Sequence, residues 1–160
     1  MTIRIGINGF GRIGRTYLRA ALASGADVEV VAVNDLTDAG TLATLLEWDS
    51  VAGHLDGVAT DGEDLEVAGQ TIKVFPEPDP AKIPWGEVGA DVVIESTGFF
   101  VDRDKAAQHL KGGARKVIVS APAKGDVPTF VLGVNDSQLD VSAADVFSNG
   151  SCTTNSLAPL

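Results

Sequence analysis

The run Ile3-Arg4-Ile5-Gly6-Ile7 passes straight into Asn8-Gly9-Phe10-Gly11-Arg12-Ile13-Gly14 and on into Arg15-Thr16-Tyr17-Leu18-Arg19-Ala20-Ala21-Leu22. A β-branched run, a G-x-G-x-x-G turn and a helical pattern in that order constrain the chain to open on a strand–turn–helix unit of a parallel sheet. In such a unit Gly9 permits the tight turn, Gly11 lets backbone approach a pyrophosphate, and Gly14 lets helix and strand pack closely. The free N–H groups of the helix's first turn then face the anion. A glycine-rich turn selected for sterics alone is the competing reading, and the position at the first strand of the chain favours a dinucleotide site over it.

A dinucleotide site of this kind needs an acid at the end of the next strand to accept from ribose hydroxyls. Asp35 closes Val30-Val31-Ala32-Val33-Asn34-Asp35, about twenty residues beyond Gly14. The alternative duty, capping the following helix, suits Asp38 better. A carboxylate at Asp35 would repel a 2′-phosphate, and bulky Leu36 beside it and the absence of an adjacent arginine point the same way, so NAD is expected over NADP.

Short runs at 3–7, 28–33, 72–75, 91–94, 116–119 and 145–147 are rich in β-branched residues and bounded by Gly, Pro, Asn or Asp, and read as buried strands. Helical patterns at about 11–23, 38–48 and 103–111 fall between them. This alternation predicts an α/β fold, doubly wound in the Rossmann manner, with a mostly parallel six-stranded sheet. Residues 49–70 break the rhythm with Gly, Asp and short alternating apolar pieces, which predicts an inserted β-hairpin. Within it Asp61-Gly62-Glu63-Asp64 reads as a solvated turn rather than a metal site, and no metal is expected.

A net charge of −10 without any cluster of Lys and Arg argues against nucleic-acid and anionic-membrane partners. The one cysteine cannot form an internal disulfide, and no charged leader or long apolar stretch precedes the first strand. A reducing, cytoplasmic setting is the expectation.

That cysteine lies in Asn149-Gly150-Ser151-Cys152-Thr153-Thr154-Asn155-Ser156. Ser151 is a good N-cap, which would set Cys152 at the first helical position, where the positive end of a helix favours thiolate. A lone cysteine elsewhere would more often be an inert, buried hydrophobe. His54, in the Gly-rich insertion, and His109, on a predicted helix, have no motif around them and are expected to be solvent-facing or structural.

Taken together, Asn8-Gly9-Phe10-Gly11-Arg12-Ile13-Gly14-Arg15, Val33-Asn34-Asp35, Glu95-Ser96-Thr97-Gly98, Ser120-Ala121-Pro122 and Gly150-Ser151-Cys152-Thr153-Thr154-Asn155 resemble phosphorylating glyceraldehyde-3-phosphate dehydrogenases. The resemblance runs through the whole chain in order. It implies Arg12 and Ile13 at the pyrophosphate, Asp35 at the adenosine ribose, and Thr97, Gly98 and Ser120 around the nicotinamide half of NAD, with Asn8, Gly9, Phe10, Gly11, Gly14, Asn34 and Ser96 also among the cofactor-binding residues. Cys152 would be the nucleophile, with Ser151 and Thr153 on the substrate side and Thr153 the better candidate for a phosphate contact. Three positions depart from the family pattern: Gly150 where alanine is common, Ser156 where a second cysteine is common, and Pro78 where a basic residue often lies near the adenine.

The resemblance further implies a division into a dinucleotide-binding domain, 1–149, and the start of a catalytic domain, 150–160, whose remainder would carry the histidine base. The parent would be a homotetramer acting on a small aldehyde and inorganic phosphate, and the 160-residue chain alone would be inactive and prone to self-association. An erythrose-4-phosphate dehydrogenase and a non-catalytic NAD-binding or interaction module are the alternative readings.

Overall fold

The first strand, β1 (Ile3–Asn8), lies in the middle of the sheet, parallel to β2 (Val28–Asn34) on one side and to β8 (Val92–Glu95) on the other. Residues 2–160 are described by the computed structural model. Outward from β2 comes β7 (Gln70–Phe75), and outward from β8 come β9 (Lys116–Val119) and β10 (Val146–Ser148), all parallel. The parallel strands thus wind away from β1 in one direction through β2 and β7, then return to its other flank and wind the opposite way through β8, β9 and β10. That reversal, between β1 and β8, opens a crevice at the carboxyl ends of the strands.

All six runs expected as strands are these parallel strands, and the sheet proves wider, in the order β10-β9-β8-β1-β2-β7-β6-β5. The two additional strands, β5 (Val58–Thr60) and β6 (Leu65–Val67), form the expected hairpin, which pairs antiparallel onto β7. The reason is burial: Leu65, Val67 and Ile72 belong to the same apolar cluster as Ile5, Ile7 and Val30, so the hairpin has to continue the sheet to cover them. The insertion also holds a separate antiparallel ribbon of β3 (Trp48–Asp49) and β4 (Gly53–His54). Asp61 does form a turn, accepting the N–H groups of Glu63 and Asp64, but Asp64 itself is buried and accepts from Lys73 Nζ and Val74 N–H.

Helices α1 (Arg12–Ser24) and α2 (Ala39–Glu47) cover one face, bringing Leu18, Leu42 and Leu46 onto β1 and β2. Asp38 caps α2 through Thr41 N–H, as its position in sequence suggested. On the other face the expected helix at 103–111 is two short helices, α3 (Arg103–Ala106) and α4 (Gln108–Lys111), because the backbone at Ala107 tightens to ψ −12°. The crossover from β7 to β8 contains no helix. Instead Ile83 and Trp85, both fully buried, pack with Val31, Ala32 and Val93. Gly6 makes that possible, since a Cβ there would lie 2.5 Å from the Trp85 ring.

Candidate functional site

Sheet register decides which residues meet at the crevice. Asn8 pairs with Asn34 on one side and Glu95 on the other, Glu95 pairs with Val119, and Val119 with Ser148. Five neighbouring strands therefore end on one line, and the residues that follow, Gly9, Asp35, Ser96, Ser120 and Asn149, leave the sheet along a common edge. Over β7, β2, β1 and β8 this edge opens into a cleft of about 340 Å³, bounded by Asn8, Gly9, Gly11, Asn34, Asp35, Ser96 and Thr97 with Leu36, Glu77, Pro78, Phe99 and Phe100 as walls. That volume falls within the range of about 300–1,000 Å³ usual for small-molecule sites.

The glycine turn forms the floor. Gly9 has φ +87°, and a Cβ on it would lie 2.7 Å from Thr97 N, so the turn both requires glycine and allows the loop after β8 to close against it. A Cβ on Gly14 would lie 2.4 Å from Gly9 O, which is the close helix–strand approach read from the sequence. A Cβ on Gly11 would meet nothing within 4 Å, and Gly11 is the N-cap of α1 without any side-chain cap, so the first turn offers its N–H groups to a ligand. Phe10 adds its backbone only: its ring is buried, its N–H donates to Asp35 Oδ2 at 2.8 Å, and its carbonyl accepts from Arg15 Nη1 at 2.8 Å. Burial, and next to it the charge of Arg12, holds the Arg15 guanidinium below its ordinary pKa.

Arg12 and Ile13 occupy the first turn of α1 with exposed side chains, and the Arg12 guanidinium pairs with Asp49 at 3.2 Å. The pair sits beside the cleft, since neither Arg12 nor Ile13 lines it. Asp35 accepts from Phe10 and from Thr37 N–H, one bond on each oxygen, which leaves a lone pair on each open towards the cleft. Ser96 Oγ donates towards Gly9 O at 2.7 Å, locking the loop after β8 to the glycine turn. Ser120 N–H donates to Glu95 O, and with Gly98 it lies along the same edge, beyond the cleft walls.

Cys152 begins α5 (Cys152–Leu157), is exposed, and follows Ser151, whose Oγ accepts from Thr154 N–H at 2.9 Å. The N-cap arrangement read from the sequence is present. Thr153 is exposed beside it. His54 lies against Trp48 on the β3–β4 ribbon, the rings tilted by 44°, and contacts Glu47 and Asp56 at the surface. His109 is fully buried, accepting from Trp85 Nε1 at 3.1 Å and lying 2.9 Å from Glu95 Oε2.

Sequence reasoning gave no role to Glu95, which is buried with four donors converging on its carboxylate, and left out the walls Glu77, Phe99 and Phe100. A signal for Glu95 existed: like Asn8 and Asn34, it is a polar residue ending an apolar strand, and such positions face the crevice.

A glycine turn at an uncapped helix start, an acid ending β2, apolar walls and the strand reversal define a Rossmann-type dinucleotide-binding domain. Residues 3–103 match the family model described as glyceraldehyde 3-phosphate dehydrogenase, NAD binding domain. The chain belongs to this family, and its cofactor is NAD. Among curated proteins it is similar to glyceraldehyde-3-phosphate dehydrogenase 1 of Bacillus subtilis, at 58% identity over 160 residues, covering 99% of this chain and 48% of that protein. Glyceraldehyde-3-phosphate dehydrogenase 2 of Streptomyces avermitilis is 55% identical over 161 residues, covering 100% and 48%. The Geobacillus stearothermophilus enzyme is 58% identical over 160 residues, covering 99% and 48%. The chain spans about half the length of the curated relatives it matches. No helix among the described residues is long and apolar enough to cross a membrane.

Proposed function

We propose that these residues are the NAD-binding portion, 1–149, and the first catalytic residues, 150–160, of a phosphorylating glyceraldehyde-3-phosphate dehydrogenase. What supports this reading above all is the common edge: Ser148 lies in register with Val119 and Glu95, so Cys152 follows four residues past the line on which the cofactor cleft is built. Two strand spacings separate β10 from β8, roughly 10 Å, a distance a dinucleotide extended across the edge can bridge.

On this reading the first-turn N–H groups of α1 hold the pyrophosphate and Asp35 holds the adenosine ribose, while Thr97, Gly98 and Ser120 surround the nicotinamide half. Cys152 Sγ, as thiolate, forms a bond to the aldehyde carbon of glyceraldehyde 3-phosphate, giving a thiohemiacetal. NAD, when bound, would supply the acceptor for the hydride this adduct loses on becoming a thioester, its hydroxyl proton passing to the general base of the parent protein. Inorganic phosphate then attacks the acyl carbon, the carbon–sulfur bond breaks, and 1,3-bisphosphoglycerate leaves with Cys152 restored. Ser151 caps the helix that carries the thiol, and Thr153 stands next to it as a candidate phosphate contact. The parent protein acts as a cytoplasmic homotetramer.

Alkylation of Cys152 by iodoacetamide, followed with and without saturating NAD, tests the shared edge. Slower alkylation in the presence of NAD is expected. NAD binding with an unchanged alkylation rate would separate the thiol from the cofactor and overturn the reading.

A further inference from the structure

Glu77 stands two residues past the end of β7 and lines the same cleft as Asp35. A side-chain amide fixes it there. Asn34, buried at the end of β2, accepts from Glu77 N–H on Oδ1 at 2.9 Å and donates from Nδ2 to Glu77 O at 2.9 Å. These two bonds prolong the pairing of β2 with β7, in which Asn34 lies opposite Phe75. The carboxylate itself has one partner: Oε1 accepts from Asp79 N–H at 2.9 Å, and Oε2 has no donor among the described residues.

Strand order sets which half of a dinucleotide this wall meets. β10, which leads to Cys152, and β7 lie at opposite ends of the parallel strands, with β9, β8, β1 and β2 between them. Hydride transfer needs the nicotinamide at the thiol, so the adenosine half falls to the β2–β7 end, where Asp35 closes β2. The 2′-position of that ribose is where NADP carries its additional phosphate.

A 2′-phosphate at this end would meet two carboxylates, and no Lys or Arg lines the cleft to offset them. Arg12 pairs with Asp49, and Arg15 donates to Phe10 O. Lys82, the one cation in the loop 76–84, pairs with Asp79 at 3.5 Å. Pro78, the next wall residue, has no N–H to give an anion. The two acids also differ. Asp35 holds a backbone donor on each oxygen, which offsets part of its charge, whereas Glu77 holds one donor in all.

We propose that Glu77 is a specificity-determining residue of the cofactor cleft: a second carboxylate that, with Asp35, excludes dinucleotides carrying a 2′-phosphate. This deepens the reading of the cleft as the adenosine half of the NAD site and rests on it. Glu77 acts through its charge, and the hydrogen bonds to ribose are left to Asp35.

The test is calorimetric titration with NAD, NADP, ADP-ribose and 2′-phospho-ADP-ribose, weak ligands being read by displacement of NAD. The proteins are the unmutated chain, Glu77→Gln and Glu87→Gln, whose exposed carboxylate lies ahead of β8, beyond the other end of the strands. Glu77→Gln keeps an acceptor for Asp79 N–H and removes the charge. The ratio of the NADP to the NAD dissociation constant should then fall by roughly three- to tenfold. The ratio for 2′-phospho-ADP-ribose against ADP-ribose should fall equally, since neither carries nicotinamide. Glu87→Gln makes the same change in net charge far from the cleft and should leave both ratios within about twofold. Added salt should narrow the ratio in the unmutated chain more than in Glu77→Gln. A ratio in Glu77→Gln equal to that of the unmutated chain, or a fall matched by Glu87→Gln, would overturn the inference while leaving the NAD site intact. Should Glu77→Gln not fold, Glu77→Ala, which keeps both backbone bonds to Asn34, decides on the same ratios. Failure of the unmutated chain to bind NAD and ADP-ribose would overturn the cofactor reading, and this inference with it.

Discussion

The backbone N–H of Phe10 donates to Asp35 Oδ2 at 2.8 Å, joining the glycine turn after β1 to the end of β2. The acid expected to read ribose is therefore also a structural tie, and the two duties use different lone pairs. Asp35→Ala should do two separable things. It leaves the Phe10 N–H without its partner, at a cost of about 1–3 kcal/mol in stability, and it removes the charge that opposes a 2′-phosphate. NAD should bind the unmutated chain more tightly than NADP, with the gap narrowed in Asp35→Ala. Equal affinities in the unmutated chain, measured by calorimetry, would contradict the assignment.

Gly14→Ala tests the close approach of α1 to the turn. The added Cβ would lie 2.4 Å from Gly9 O, a backbone atom that cannot swing away as a side chain end can. A loss of roughly 1–3 kcal/mol in urea unfolding is expected from overpacking, together with weaker NAD binding because Gly9 has to shift. Gly11→Ala meets no protein atom and should cost NAD affinity with little change in the urea midpoint.

Acid should destabilise the chain through a defined set of surface carboxylates. Asp38 is held below the ordinary value by Thr41 N–H and then the Thr41 hydroxyl, Asp49 by the N–H groups of Ala52 and Val51, and Asp61 by those of Asp64 and Glu63. Lys105 does the same for Asp102 and the Ser142 hydroxyl and N–H for Asp140. A folded-state pKa below the unfolded one adds stability that is present above the unfolded value, about 3.9, and is lost as pH falls through the folded value. The urea midpoint should fall from about pH 5 downwards, less steeply in Asp38→Ala. An identical slope in that variant would remove Asp38 from the set.

Exposed apolar residues argue for association of the isolated chain. Leu132 is 79% and Val141 61% exposed in the stretch between β9 and β10, and Phe99 is 78% exposed at the cleft wall. Where such residues form a contiguous patch of more than a few hundred Å², it seldom persists on a monomer. Sedimentation should show concentration-dependent association, and a monomer at every concentration, without binding of an apolar dye, would oppose it.

The 160 residues on their own should not turn over. His109 is sealed between Trp85 and Glu95, and His54 faces Glu47 and Asp56 on the ribbon, so neither stands free to take a proton from a substrate at Cys152. Absence of a positioned general base costs ~10²–10⁴ in rate. NADH formation should match a Cys152→Ala control; phosphate-dependent NADH formation that this substitution abolishes would identify a base within these residues.

Local pattern carried much of this protein. The spacing of Gly9, Gly11 and Gly14, the acid at Asp35, the cap residues Asp38 and Ser151, and the six β-branched runs were legible because each depends on a few neighbouring residues: a positive φ, a free helix end, a strand's period. Tertiary structure decided what depends on partners far along the chain. The β5–β6 hairpin joined the sheet because Leu65 and Val67 needed the core beneath α2, and a helix-free crossover could cover a face because Trp85 found the space left by Gly6. Glu95 became the centre of a buried network because sheet register set Asn8 beside it and packing brought His109 under it, 14 residues later in the chain. A buried carboxylate is stable only where its donors already stand, and where they stand is fixed by the fold rather than by the residues next to it in sequence.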